Sequence, residues 1–203
     1  KFGNSLLVRL GMRLSQVDPS LAQQTVTAAL SRGVFESNED NFVVRHDNNY
    51  LNPTGRTLNS TEASNFYLVD SFVDFLSESN DPRLSSIAVR YVGALSGTEQ
   101  QAAVATTDPA DQIGMPMGFD NGTIGPVATS LGLSSFYGFS QADRTRIANF
   151  NTPLFLVTHA QTQLLLAEAA HRGWVTGDPA QYFAEGVRAH MEQMALYDPN
   201  LAI

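Results

Sequence analysis

The residues best suited to bind a ligand lie in the string "GMPMGFDNGTIGP" (114–126) and in the aromatic run that follows it. Flat apolar rings pack against sugar C–H faces or apolar side chains, while Asp and Asn side chains hydrogen-bond to hydroxyl groups. Small-molecule sites are mostly apolar with a few placed polar groups, and this combination predicts one here. The candidate ligand-binding residues are Phe119, Asp120, Asn121, Phe136 and Tyr137, with Tyr50 as an outside candidate.

Two plainer interpretations of this region stay open at the sequence level. The glycine-rich string is also typical of a multi-turn loop with Asn121-Gly122 at its tip. Phe136 and Phe139 are equally suited to anchor the loop in the core. The string is not a phosphate-binding loop because it lacks the required Lys, and it does not have EF-hand spacing.

No arrangement typical of a catalytic site stands out. The chain has no cysteine and no G-x-S-x-G motif. No H-E-x-x-H occurs, so we interpret the four histidines as structural or exposed rather than as metal ligands: His46, His159, His171 and His190. Loop carboxylates could in principle serve glycoside hydrolysis, although loop aspartates most often cap turns; the candidates are Asp108, Asp111 and Asp120. We therefore predict a non-enzymatic protein without a metal or cofactor.

Composition excludes further classes of protein. The net charge is −8 at pH 7, the sequence pI is about 4.8, and the arginines are scattered. Nucleic-acid binding is disfavoured because an acidic surface repels phosphates. No apolar run reaches the roughly 18–20 residues that span a bilayer. With 43% hydrophobic residues the chain is expected to bury a real core.

The first third of the chain is predicted to be mainly helical. A helix is expected over residues 2–15, where Phe2, Leu6, Leu10 and Leu14 recur at four-residue spacing. A second helix follows Asp18-Pro19, an N-cap with an N1 proline, and ends at Gly33 with Val34 making the apolar contact after the glycine. The polar segment 36–60 holds at most one short strand, Phe42–Arg45.

The middle of the chain is predicted to change from helix to irregular structure. A helix is expected over 61–79, opening at Thr61-Glu62, and "SIAVRYVGAL" alternates like a strand. Residues 93–150 are rich in glycine and form the least regular part. So long an irregular stretch in a compact chain is usually functional or mobile.

The last third is predicted to form a tight helical hairpin over residues 154–196. Thr152 caps a helix that starts at Pro153 and stops at Gly173, and Asp178-Pro179 begins the final helix. Phe183, Val187, His190 and Met194 form the apolar stripe of that last helix. Close approach of the two axes is expected at Ala167, Ala170, Ala184 and Gly186. Trp174, just after the glycine stop, is expected to pack at the helix end.

Several strings spread over about half of the chain resemble one family. They are "FGNSLLVRLGMRLSQVDP", "ESNDPRLS", "GMPMGFDNG" and "TPLFLVTHAQTQLLLAEAAHRGWVTGDPAQYFAEGVRAHM". Their order and spacing are similar to those of the SusD/RagB family, in particular its SusD-like branch. The chain departs from the family at Ala189-His190-Met191, where a Ser is common before the Met.

The resemblance implies a mainly α-helical fold of tetratricopeptide-like helical hairpins, with a long irregular loop region and few short strands. Family members are about twice as long, so residues 1–203 are expected to be a single domain or a C-terminal-half fragment of one. The helical scaffold would comprise 1–35, 61–79 and 152–197, and the ligand-presenting region 93–150.

The resemblance also implies a function. It predicts a lipoprotein on the outer face of the bacterial outer membrane, with its signal and lipid anchor outside this chain. There it would capture an oligosaccharide, or a peptide, without catalysis and deliver it to a SusC-like TonB-dependent transporter. Two alternatives stay open: a helical-repeat adaptor that binds only proteins, and a glycoside hydrolase that uses loop carboxylates.

Overall fold

The computed structural model describes residues 1–60 and 63–197, and it divides the chain into two compact units. The first, here called the helical unit, comprises Lys1–Arg45 and Pro153–Ala202, and the second, the loop unit, is His46–Thr152. In chain order the helices are α1 (Phe2–Arg13), α2 (Pro19–Ser31), α3 (Pro53–Asn59), α4 (Asp70–Glu78), α5 (Leu84–Ile87), α6 (Ile124–Ser130), α7 (His159–His171) and α8 (Pro179–Met194). The strands are β1 (Phe42–Val44), β2 (Ala88–Tyr91), β3 (Ala105–Thr106), β4 (Gln141–Ala142) and β5 (Leu154–Val157). This mainly helical architecture with few short strands confirms the predicted fold class.

The helical unit consists of two helical hairpins, α1–α2 and α7–α8, which pack together through α1 and α7. Its core is contributed by α1, α2, α7 and the residue Val34 after α2: Val8, Met12, Val26, Ala29, Val34, Leu166 and Ala169. Strands β1 and β5 pair antiparallel beside the hairpins. Among the described residues, no helix is both long enough and apolar enough to cross a membrane.

The predicted starts of α2 and α8 and the predicted glycine stops after α2 and α7 are confirmed. The Asp18 carboxylate accepts a hydrogen bond from the Leu21 backbone N–H at 3.0 Å, and Gly33 takes a left-handed φ of 84° after α2. Gly173 has a φ of 72° after α7, and the backbone N–H of Trp174 donates to Ala169 at 2.9 Å. Trp174 is half-buried against the core of the helical unit, as expected for packing at a helix end.

The buried face of α1 differs from the predicted stripe. Leu10 is 53% exposed, whereas Val8 and Met12 are buried in the core. A strict four-residue spacing winds around a helix with 3.6 residues per turn, so it does not mark one contact face. The contact with α2 is made through Gly11, where an added Cβ would lie 2.9 Å from the Val26 side chain.

The α7–α8 contact likewise uses small residues and turns large ones outward. An added Cβ at Gly186 would lie 2.7 Å from Leu164 Cγ and 3.1 Å from the Ala160 carbonyl oxygen, so the axes approach closely there, as predicted. Ala184, however, is exposed, and Phe183 of the predicted apolar stripe is 59% exposed. Of the predicted stripe, Phe183 and Val187 are exposed, whereas Met194 is buried.

Two predicted helical segments are partly extended. The helix expected from Pro153 is preceded by strand β5, because the Leu-Phe-Leu-Val run pairs with β1, and Thr158 rather than Thr152 caps α7. Of the helix expected over 61–79, only α4 is helical, and Thr61 and Glu62 lie outside the described residues.

The part of that segment before α4 is held extended by backbone contacts with other segments of the loop unit. Tyr67 forms a backbone bridge with Gln141, and Val69 forms one with Met115. The Leu68 N–H donates to the Ser140 carbonyl at 2.8 Å. These hydrogen bonds to residues far away in the sequence replace the local hydrogen bonds of a helix. Tertiary contacts therefore decide the conformation of this segment.

The loop unit combines short elements around small apolar clusters. Strand β2 pairs antiparallel with β3 on one side and with β4 on the other. Phe139 is fully buried beside α6, so its interpretation as a core anchor is confirmed. Helix α3 was not predicted, although Asn52-Pro53 repeats the cap-and-proline signal that identifies α2 and α8.

Candidate functional site

A cavity of about 390 Å³ lies within the loop unit and combines aromatic, amide and carboxylate side chains. It is here called the polar cavity. Its lining residues are Asn65, Tyr67, Met115, Phe119, Asp120, Asn121, Ile124 and Phe136. Four of the five predicted ligand-binding residues are therefore brought to one place from two separate parts of the chain.

The glycine-rich string reaches the cavity because it forms a short ladder with the chain that enters α4. The Met115 N–H donates to the Leu68 carbonyl at 2.8 Å, and the Asp70 N–H donates to the Met115 carbonyl at 3.1 Å. Gly114 makes this approach sterically feasible, since its position lies directly against the Asp70 backbone. The ladder places Met115 at the cavity wall and carries the following turn with it.

Asp120 organises that turn. One carboxylate oxygen, Oδ1, accepts from the Gly122 N–H at 3.0 Å, the Thr123 N–H at 3.0 Å and the Thr123 hydroxyl at 2.8 Å. These donors, with the Thr123 hydroxyl the largest contributor, hold the pKa of Asp120 below its usual 3.8. The side chain therefore presents a negative charge at neutral pH, and it also stabilises the turn that carries Phe119 and Asn121.

Ligand affinity is expected to stay constant from about pH 8 to about pH 5. The lowered pKa of Asp120 means that its charge is fully present above 3.8 and is lost only as the pH falls through the lower value in the folded protein. Affinity measured across this range by calorimetry tests the expectation, with Asp120→Asn, which has no titrating carboxyl, as the control. An affinity that changes between pH 8 and pH 5 in the parent chain would assign the dependence to another group.

The aromatic part of the cavity is a set of touching rings. Phe136 lies edge-to-face with Tyr67 at a centroid distance of 6.2 Å and stacks on Tyr137 at 4.2 Å. The Ser135 hydroxyl accepts from the Tyr137 N–H at 3.1 Å and donates to the Ala94 carbonyl at 2.6 Å, which fixes the start of this turn. Phe119, 47% exposed, is the ring most available to a ligand.

The remaining candidates lie elsewhere. Tyr137 packs behind Phe136 against the cluster of Val89, Tyr91 and Ala94 rather than lining the polar cavity. Tyr50 is 60% exposed and stacks on His46 at 5.1 Å, in a loop outside the cavity. The ligand-binding role of all six residues stays a prediction.

Sequence reasoning missed part of the lining. Asn65 and Tyr67 were assigned to a helix, so nothing indicated that they would face the glycine-rich string. Met115 lies within the quoted string, but a methionine beside glycines is not a specific signal. Only the backbone bridges of Tyr67 and Val69 explain why residues so far apart in sequence share one cavity.

A second, apolar cavity of about 520 Å³ adjoins Tyr67. It is lined by Pro53, Thr54, Thr57, Leu58, Phe66, Tyr67, Leu68 and Ala142. Tyr67 therefore forms a wall of both cavities. A ligand with polar and apolar groups would find both kinds of surface within the loop unit.

Two loop carboxylates, Asp108 and Asp111, and the buried His159 have structural partners. Asp108 caps a short 3₁₀ turn through the Ala110 N–H at 2.9 Å, and Asp111 accepts from the Thr106 hydroxyl at 2.8 Å. His159 is buried in the helical unit, where its ring nitrogens lie 3.1 Å from the Phe35 carbonyl and 3.1 Å from Glu185. Within the described residues, no group of His, Asp and Glu side chains has the arrangement of a metal site.

Comparison with known proteins assigns the fold to a family. The family described as "Starch-binding associating with outer membrane", a SusD-like family, matches residues 1–200. The chain belongs to this family, which confirms the resemblance of the sequence motifs. No functionally curated protein matches the chain.

Solved structures agree with this assignment. A chitin-binding protein is 29% identical with a TM-score of 0.76, and the match covers 97% of this chain and 40% of that protein. A SusD homologue from Bacteroides vulgatus is 27% identical with a TM-score of 0.73, covering 100% and 36%. A Bacteroidetes SusD-like protein shares the fold at 22% identity, with a TM-score of 0.74 and coverage of 99% and 49%. The chain thus spans less than half the length of each of these structures.

Proposed function

We propose that the protein captures oligosaccharides at the outer-membrane surface without chemically altering them. The observation that carries this proposal is the polar cavity, where Phe119 and Phe136 offer ring faces beside the hydrogen-bonding groups of Asp120 and Asn121. Ring faces suit the apolar face of a sugar, and the polar groups suit its hydroxyls. Membership of a starch-binding family and similarity to a chitin-binding protein support the same ligand class.

We propose binding without hydrolysis because the loop carboxylates do not have the properties that a glycosidase requires. A glycosidase needs one carboxyl group that stays protonated to act as an acid. Asp120 has the opposite property, because three donors stabilise its charged form and lower its pKa. Asp108 and Asp111 are engaged in local turns. Incubation with chitin and starch oligosaccharides is expected to return them intact.

We further propose that the protein is an outward-facing lipoprotein that delivers its ligand to a SusC-like TonB-dependent transporter. The outer-membrane association of the family supports the location. A peptide ligand would use the same cavity through its amide groups and apolar side chains, so oligosaccharide and peptide probes are both to be tested.

Phe119→Ala is expected to weaken oligosaccharide binding about tenfold, or by ~1.4 kcal/mol, because one exposed ring face is removed. Folding should be only modestly affected, since about half of the side chain is already exposed. Calorimetric titration with chitin and maltose-series oligosaccharides measures the change. Phe75→Ala is the matched control, because Phe75 is 65% exposed in the same unit on α4 and does not line the polar cavity.

If both variants bind the oligosaccharide with equal affinity, Phe119 does not contribute to the binding site. Failure of the parent chain to bind any oligosaccharide would instead count against the ligand class. The transporter is tested separately, by pull-down of the tagged protein from gently solubilised native outer membranes. Recovery of a large TonB-dependent β-barrel at near one-to-one stoichiometry is expected, whereas recovery of only soluble partners would favour an adaptor.

A further inference from the structure

The loop unit contains a group of buried polar atoms that have no hydrogen-bond partner among the described residues. They are Tyr67 Oη, Gln100 Oε1, Gln141 Oε1 and Nε2, and Arg144 Nε. Gln141 is only 1% exposed and Gln100 only 7%. Buried polar groups in folded proteins are almost always paired with protein or with ordered water, so several unpaired ones call for a specific explanation.

The side chains of Gln100 and Gln141 lie beside the Tyr67 hydroxyl, and the charge of Arg144 also acts on it. Burial raises the pKa of Tyr67 to about 12, and the amides of Gln100 and Gln141 and the charge of Arg144 are close enough to oppose that rise. Neither amide, however, makes a hydrogen bond of normal geometry with the hydroxyl. Tyr67 and Gln141 are also joined by a backbone bridge, which fixes the two side chains in the same neighbourhood.

The hydrogen-bonding character of each group is determined by its other contacts. Gln100 donates through Nε2 to the Tyr137 carbonyl at 3.0 Å, so its free Oε1 is an acceptor. Neither polar atom of the Gln141 side-chain amide has a partner. In either of its two flipped orientations, the amide therefore offers one donor and one acceptor. Arg144 Nε is a donor, and its guanidinium lies 5.3 Å from the centre of the Tyr91 ring.

This mixture of donors and acceptors identifies the ligand class. A metal cation would be repelled by the Arg144 guanidinium and would find no carboxylate among these atoms. An anion would face the Gln100 carbonyl oxygen. Water accepts from Arg144 and Gln141 and donates to Gln100 and Tyr67, and buried waters typically make about three such bonds.

We propose that these side chains form an internal water site, in which at least one bound water joins Tyr67 to Gln100 and Gln141. The site does not depend on the proposed function. The water site matters for function because it would fix the position of Tyr67, which forms a wall of both cavities. The water would hold the phenol in place and so define the boundary between the two cavities.

Tyr67→Phe tests the proposal by the sign of its effect on stability. If water satisfies the hydroxyl, removing it loses a hydrogen bond, and the folding equilibrium constant should fall by roughly fivefold. If the site is dry, the substitution removes an unpaired buried polar group and should raise that constant. Urea unfolding measures the change, with Tyr50→Phe, at an exposed tyrosine, as the matched control expected to be neutral.

A high-resolution crystal structure of the parent chain supplies a second, direct readout. Water density within hydrogen-bonding distance of Tyr67 Oη and the Gln141 amide is expected. Gln141→Leu should lower stability in the same direction as Tyr67→Phe, because it leaves the water without a partner. A stabilised Tyr67→Phe variant, or a site without water density, overturns the proposal.

Discussion

Gly114→Ala is expected to destabilise the protein by about 3 to 4 kcal/mol and to abolish ligand binding. A Cβ at this position would lie 2.3 Å from Asp70 Cα and 2.6 Å from Asp70 N, and both are backbone atoms that cannot rotate away. The ladder between Met115 and Leu68 would have to open. The turn that carries Phe119 and Asp120 would then move away from the other residues that line the polar cavity.

Thermal or urea unfolding and calorimetric titration together measure this result. Gly125→Ala is the matched control, because Gly125 lies eleven residues further on in α6 and an added Cβ there meets nothing within 4 Å. That variant should be neutral or slightly more stable, since Ala favours helix over Gly by up to about 1 kcal/mol. Similar stability of the two variants would show that Gly114 is not in close contact with α4.

Gly55→Ala is expected to be at least as destabilising, by about 4 kcal/mol. Its Cβ would lie 2.0 Å from the Asn149 carbonyl oxygen and 2.6 Å from the Asn149 carbonyl carbon. Helix α3 would have to move away from the chain around Asn149, breaking the hydrogen bond from the Asn52 N–H to the Phe150 carbonyl at 2.7 Å. The apolar cavity would lose the wall formed by Leu58.

Gly3→Ala provides the comparison for this second substitution. Gly3 also lies in the first turn of a helix, α1, but a Cβ there meets nothing within 4 Å. Unfolding experiments should therefore show a neutral or slightly stabilising effect for Gly3→Ala and a large loss for Gly55→Ala. A Gly55→Ala variant as stable as the parent would contradict the close packing of α3 on Asn149.

The two units are built in different ways. In the helical unit, small residues such as Gly11 and Gly186 let paired helices approach closely. In the loop unit, backbone bridges hold short segments around two cavities. Binding residues are often carried on loops. Here the turn with Phe119 and Asn121 is fixed by the hydrogen bonds that Asp120 accepts.

Local chemistry determined the elements that the sequence predicted correctly. Asp18-Pro19 and Asp178-Pro179 start helices because the carboxylate caps the first N–H groups and proline suits the first turn. Gly33 and Gly173 end helices because glycine adopts positive φ without steric cost. The clustering of Phe119, Asp120 and Asn121 also followed from the sequence, since residues adjacent in a turn remain adjacent in space.

Only the tertiary structure decided which distant residues meet. Residues 154–157 pair with β1 instead of extending α7, and the segment before α4 bridges to Met115 and Gln141, because backbone groups there bond across the chain. Such pairing depends on contacts between residues far apart in sequence, which no local pattern records. For this reason the position of Tyr67 in the wall of two cavities could not be predicted from the sequence. Tyr137 is adjacent to Phe136 in the sequence, but it packs against the cluster of Val89, Tyr91 and Ala94.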